Sequence, residues 1–218
     1  MALPPFHSGQ KKVYSEMKRF NLLLAGRRWR KSSFGAAYLS RLAWINQGEY
    51  LWGSPTHDQN KIALGYMEKI FKGKDVKFNR SSMHVELPNG SLIRLRSLNK
   101  PDNCRGFTIN GVVIDEAAYT SSDAYKEVIR PTLMDTLGWS MLISTPSGYD
   151  WIYDIYNSVD DNVATWRIPS LGAYLNDQSL TRKKHEYENP HLSFDELKSL
   201  YTTMGSIPFK QEILCEFI

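Results

Sequence analysis

The chain has 218 residues and a formal net charge of +4, with 42% apolar and 23% charged residues, values ordinary for one folded domain with a small appendage. Its two cysteines, Cys104 and Cys215, exclude a disulfide scaffold or a zinc cluster, and no stretch approaches the ~20 apolar residues that span a bilayer. Residues 1–10 lack an apolar core of signal-peptide length, so a soluble protein of a reducing cytosol is expected, with a basic bias compatible with a DNA partner.

Apolar runs alternate with helical patterns, which predicts an α/β fold with a mostly parallel sheet sandwiched by helices. Residues 10–19 read as a short helix. Phe20–Ala25 (FNLLLA) is a nearly continuous apolar run, as in a strand buried on both faces. Residues 31–46 have helical spacing, with Phe34, Tyr38, Leu42 and Ile45 on one apolar face. Residues 49–53 predict a second strand and 57–71 a second helix. Period-two stretches at 84–87 and 91–95 flank Pro88-Asn89-Gly90, which predicts an antiparallel hairpin beside the parallel core. Buried strands are predicted at 111–114 and Trp139–Ser144. Beyond these, 151–157 reads as a helix and Val163–Ile168 as a strand. Ser193 with Glu196 has the form of a capping box for a helix ending at Gly205, and Ser206 with Pro208 opens a last one. A boundary near residue 160 is expected, dividing a nucleotide-binding core (1–160) from a mostly helical appendage (161–218).

The segment Ala25-Gly26-Arg27-Arg28-Trp29-Arg30-Lys31-Ser32-Ser33 follows the first strand and precedes a helix. A phosphate-binding loop reads GxxxxGK[ST]; here Lys31 and Ser32 stand correctly, while Ala25 and Arg30 replace both glycines. The loop works through backbone N–H groups and a helix N-terminus, which any residue but proline supplies. If position 30 requires positive φ, its arginine costs about 1–2 kcal/mol.

The strand at 111–114 delivers Asp115 and Glu116 at its C-terminal end, where ligands bind in a parallel sheet. Asp115 suits the shell of a Mg²⁺ ion that Ser32 also ligates, and Glu116 suits the polarisation of an attacking water. The next strand ends in Ser144-Thr145-Pro146, whose hydroxyls could sense a γ-phosphate. Basic clusters occur at 69–80, at Arg94, Arg96 and Lys100, and at 182–184; the hairpin around Arg94 and Arg96 is a candidate DNA-facing element.

This order of motifs resembles the ATPase half of the large terminase subunit of tailed double-stranded DNA phages, and the resemblance covers nearly the whole chain. Pro5-Phe6-His7-Ser8-Gly9-Gln10 resembles the family's entry segment, which implies that Gln10 reads the adenine. The arginine-rich segment from Gly26 to Ser33 resembles the family's deviant phosphate loop. Ser54-Pro55-Thr56 resembles its Pro-Thr segment, and Asn103-Cys104-Arg105-Gly106 its arginine segment, which implies Arg105 as a trans-acting finger. Arg27 and Arg28 remain rivals that could act in cis. Ser144-Thr145-Pro146 resembles the coupling motif, and Glu188-Asn189-Pro190 with Phe209-Lys210-Gln211-Glu212 the linker region.

The resemblance implies a P-loop NTPase of the helicase-like, additional-strand class that hydrolyses ATP with Mg²⁺ and drives double-stranded DNA into a procapsid. It further implies a homo-oligomeric ring (a monomer when isolated), partnership with the portal protein and the small terminase subunit, and residence in the infected host's cytoplasm. The family's nuclease half would lie beyond this chain, so nuclease activity is not expected of it. A non-catalytic nucleotide-binding module, a helicase-like translocase and a small-molecule kinase stand as alternatives.

Overall fold

The computed structural model describes residues 5–176 and 179–218. In chain order the helices and strands are α1 (Ser8–Glu16), β1 (Phe20–Ala25), α2 (Lys31–Ile45), β2 (Glu49–Ser54), α3 (His57–Ile70), β3 (Lys77–Asn79), β4 (His84–Glu86) and β5 (Leu92–Ser97). There follow β6 (Gly111–Asp115), β7 (Trp139–Ser144), α4 (Trp151–Tyr156), β8 (Val163–Ile168), β9 (Ala173–Asn176), β10 (Ser179–Arg182), α5 (Phe194–Met204) and α6 (Ser206–Glu212). Among the described residues no helix is long and apolar enough to cross a membrane.

The chain divides into two compact units, with Ser32–Ile143 in one and Pro5–Lys31 with Ser144–Ile218 in the other. In the first, the strands lie in the order β3-β4-β5-β2-β6-β7. β2 pairs in parallel with β5 and β6, β6 pairs in parallel with β7, and β3, β4 and β5 are antiparallel neighbours. The predicted parallel core with an adjoining hairpin is therefore present. Its turn is fixed by Gly90 at φ +83 and by Asn89, whose side chain donates to the Ala43 carbonyl at 2.9 Å. Every residue of β6 is buried, which accounts for its unbroken apolar run.

The buried side of α2 differs from the expected one. Ile45 is 58% exposed and Tyr38 and Leu42 only half-buried, whereas Phe34, Ala36, Ala37, Leu39 and Ala43 are buried. Small residues let this helix lie close to the sheet: a Cβ on Gly35 would stand 2.4 Å from Ile143 Cδ1. Close approach, rather than the largest apolar side chains, chose the face.

In the second unit β1 pairs in parallel with β8, from Phe20 opposite Val163 to Ala25 opposite Ile168. Residue 160 lies within this unit, because β8, just beyond it, hydrogen-bonds to β1. The segment beyond is less helical than expected, since β9 and β10 form an antiparallel pair that the sequence pattern does not announce. Leu171, Leu197, Phe209, Ile213 and Leu214 make a small core for α5 and α6. α1 starts at Ser8, earlier than predicted, because His7 caps it: the His7 ring accepts from Gln10 N and the Gln10 side chain accepts from His7 N.

Candidate active site

The residues expected at the site fall into two groups, one in each unit. In the second unit the loop after β1 leaves the sheet at Gly26, whose N–H donates to the Ile168 carbonyl at 2.9 Å. A Cβ here would meet Ser170 Oγ at 2.4 Å and the Ile213 carbonyl oxygen at 2.5 Å, so only glycine fits. Arg28 and Arg30 both adopt the left-handed region, at φ +67 and +69. The positive φ considered for position 30 is thus the observed conformation, and each arginine carries a cost of about 1–2 kcal/mol.

Hydrogen bonds from elsewhere in the unit offset that cost, at roughly 1 kcal/mol each. The Arg27 N–H donates to the Glu212 carbonyl at 2.7 Å, and its guanidinium pairs with the Glu212 carboxylate at 2.8 Å. The Arg28 carbonyl accepts from Asn189 Nδ2 at 2.9 Å. Trp29 is fully buried, gives its indole N–H to the Tyr187 carbonyl at 2.7 Å and meets the His7 ring edge-on. The Trp29 carbonyl accepts from His7 Nε2 at 3.2 Å, and Gln10 Nε2 reaches the carbonyls of Trp29 and Arg30, each at 3.4 Å. Gln10, expected at the adenine, is 4% exposed and binds the loop itself. Lys31, the first residue of α2, is 8% exposed. Thr145 is buried one residue beyond β7.

In the first unit Ser32 and Ser33 lie in the first turn of α2, both half-buried. Ser32 Oγ donates to Asp115 Oδ1 at 3.1 Å across 83 residues of sequence. Glu116 follows at φ 52, ψ 46, a left-handed conformation that turns the chain sharply at the end of β6, and its N–H donates to the same Asp115 oxygen at 3.2 Å. A strained non-glycine residue at a strand end is the kind of outlier that accompanies function. Arg105 is exposed; its Nε pairs with Asp102 at 2.6 Å and its guanidinium reaches the Glu127 carbonyl at 3.5 Å.

Two other arginines make contacts within the chain. Arg94 pairs with Glu49 at 3.1 Å and lies over the Phe107 ring, and Arg96 donates to the carbonyls of Ser82, Met83 and Leu95. Burial lowers the Arg96 pKa from its ordinary value. These contacts brace both arginines within the hairpin. Sequence reasoning assigned no role to Tyr187, Asn189 or Glu212 at the loop; only the quoted linker motifs mark their neighbourhood.

The donor set fits a nucleotide with a divalent cation. Among the described residues no cluster of three or more His, Cys, Asp or Glu side chains could cage a metal. Ser32 and Asp115 instead offer two hard oxygens, which suits Mg²⁺ arriving with phosphate oxygens as further ligands.

A strand, a loop that enters a helix at a lysine, and a second strand ending in adjacent carboxylates define a phosphate-loop α/β domain. The chain belongs to the family described as terminase large subunit, T4likevirus-type, N-terminal, whose profile matches residues 22–218. It is 26% identical over 194 residues to the terminase large subunit of Thermus phage G20c, covering 76% of this chain and 39% of the relative's length. The chain thus spans less than half of that relative. Among solved structures it resembles the large terminase ATPase domain of Thermus phage P74-26, with TM-score 0.75, 21% identity and coverage of 99% of this chain and 94% of that one. It also resembles the large terminase of a thermophilic bacteriophage in complex with ADP, with TM-score 0.78, 17% identity and coverage of 98% and 54%. At these identities the structural likeness shows the fold.

Proposed function

We propose that this chain is an ATP-hydrolysing motor domain that couples hydrolysis to the movement of double-stranded DNA into a procapsid. The observation that carries the reading is the Ser32–Asp115 hydrogen bond of 3.1 Å, which ties the helix start after the loop to the acidic end of β6. The family membership and the ADP complex of the similarly folded large terminase support it.

On this reading the loop N–H groups and Lys31 bind the phosphates, and Ser32 and Asp115 hold the cation. Mg²⁺, when bound with the nucleotide, neutralises charge on the phosphate oxygens. Glu116 orients the attacking water and takes its proton. Gln10 exchanges its long contacts to the loop carbonyls for the adenine edge. Arg105 leaves its exposed pairing with Asp102 for a neighbouring subunit's transferring phosphoryl group, to which a planar, permanently charged guanidinium is suited. Thr145 responds to loss of the γ-phosphate. The assembly is a homo-oligomeric ring that works with a portal protein and a small terminase subunit in the infected cell.

Steady-state ATP hydrolysis against protein concentration tests this for the unaltered chain, Glu116→Ala and Arg105→Ala. Activity should rise faster than linearly with concentration and vanish in each variant, and mixing the two variants should restore part of it. No turnover at any concentration, even with portal and DNA, would leave a non-catalytic nucleotide-binding module. Activity linear in concentration and indifferent to Arg105→Ala would remove the trans finger.

A further inference from the structure

We propose that residues 187–189 form a clasp that imposes the phosphate-binding shape on the loop, with Asn189 as a positioning residue for nucleotide; this rests on the nucleotide-binding reading above. In the usual loop, glycines adopt left-handed conformations without steric cost. Here Arg28 and Arg30 must hold them, at φ +67 and +69. The conformation is supplied from 161 residues away, where Asn189 Nδ2 donates to the Arg28 carbonyl at 2.9 Å.

The orientation of that amide is fixed. Asn189 is 1% exposed, its Oδ1 accepts from His191 N at 3.1 Å, and its own N–H donates to the Ser170 carbonyl at 3.2 Å. With Oδ1 committed to an N–H donor, Nδ2 must face Arg28. Next to it, the Tyr187 carbonyl receives the indole N–H of Trp29 at 2.7 Å. Between these two residues Glu188, itself buried, accepts from Gly172 N at 2.8 Å and His185 N at 3.0 Å and pairs with Arg182, which secures the clasp to the β9–β10 pair.

The consequence for the loop follows from peptide geometry. In a trans peptide unit the carbonyl and the next N–H point in opposite directions. The carbonyls of Arg28, Trp29 and Arg30 are each drawn to the scaffold, by Asn189, by His7 with Gln10, and by Gln10. The N–H groups of Trp29, Arg30 and Lys31 therefore point the other way. Trp29 N closes the turn on the Gly26 carbonyl at 3.2 Å, and the next two lead into the start of α2. Successive N–H groups of this kind form an anion-binding nest.

The test compares the unaltered chain with Asn189→Ala and with Asn189→Ala combined with Arg28→Gly. ATP affinity is measured by titration calorimetry, and tryptic cleavage within residues 27–30 is measured without nucleotide. Asn189→Ala should bind ATP about tenfold more weakly, as expected for one lost hydrogen bond with its loop ordering, and be cut in the loop several-fold faster. Arg28→Gly in that background should recover most of the affinity, because glycine takes the left-handed conformation unaided; a residue needed only for folding would not be rescued this way. Unchanged affinity and cleavage in Asn189→Ala, or a folded double variant that stays weak, would overturn the clasp. Should Asn189→Ala not fold, Trp29→Phe keeps one aromatic ring, removes the indole N–H to Tyr187 together with the second ring, and must show the same two losses. If the unaltered chain binds no ATP, the nucleotide reading falls, and the cleavage rates alone decide the clasp.

Discussion

Asp115 Oδ1 collects two donors, the Ser32 hydroxyl at 3.1 Å and the Glu116 N–H at 3.2 Å, so the three residues meet at one carboxylate oxygen. Asp115→Asn preserves an acceptor at that position and removes the charge. We expect its melting temperature to stay near that of the unaltered chain and its Mg²⁺-dependent ATP affinity to fall about 10- to 100-fold, the range for residues that support a bound cation. Calorimetric titration with and without Mg²⁺ checks this; an unaltered Mg²⁺ dependence would remove Asp115 from the cation site.

Arg30 offers the opposite kind of change. Its φ of +69 costs an arginine about 1–2 kcal/mol, which glycine avoids at the expense of greater freedom in the unfolded chain. Arg30→Gly should therefore raise stability by about 0.5–1 kcal/mol in urea denaturation. The Gln10 side-chain contact uses only the backbone carbonyl of residue 30 and persists. A loss of stability would mean that the arginine side chain contributes more than its strain.

Gly26→Ala should do the reverse. Its Cβ would stand 2.5 Å from the Ile213 carbonyl oxygen, a backbone atom that cannot move aside alone. We expect a loss of about 3 kcal/mol, at the upper end for overpacking, together with loss of ATP binding, since the displaced backbone carries the loop. Equilibrium unfolding by circular dichroism measures the first and calorimetry the second. A variant as stable as the parent would contradict the packing described at β1.

Acid should loosen the loop through His7. Desolvation by burial pushes its pKa below the ordinary 6.5, and the nearby His191 and Arg30 push the same way, against the raising effect of its bond to the Trp29 carbonyl. The neutral ring with its proton on Nε2 satisfies both of its bonds, because Nδ1 accepts from Gln10 N. Between the depressed folded-state pKa and 6.5, the unfolded chain binds more protons than the native one, so the stabilisation is complete above 6.5 and is lost as pH falls through that window. Burial lowers the His185 pKa as well, which adds to the same slope. His7→Asn, which can still cap α1, should flatten the dependence of the urea midpoint between about pH 7 and pH 5 without abolishing it; an unchanged slope would exclude His7 as its source.

Much of the fold was legible because burial writes itself into local pattern. β1 and β6 are buried along their whole length and read as unbroken apolar runs, and Asn89-Gly90 marks the hairpin. The helical face of α2 was misread because close packing of Gly35, Ala36 and Ala37 outweighed the larger Tyr38 and Ile45. The π-helical turn at Ala124–Ile129 and the β9–β10 pair carry no comparable signal. Among the candidate site residues, Lys31, Ser32, Asp115 and Glu116 could be proposed from type and spacing. The support of the loop could not, because Trp29 meets Tyr187 across 158 residues and Arg27 meets Glu212 across 185, separations that no local period encodes.

β3 bounds the hairpin side of its sheet with three residues, Lys77–Asn79, and the lysine and asparagine are both exposed. So short a margin, with a charge at its start, offers another chain little backbone to pair with. Copies of this protein brought together at high local concentration are thereby kept from adding strand to strand at that margin. Any association at that margin would rest on side chains rather than on a hydrogen-bonded ladder.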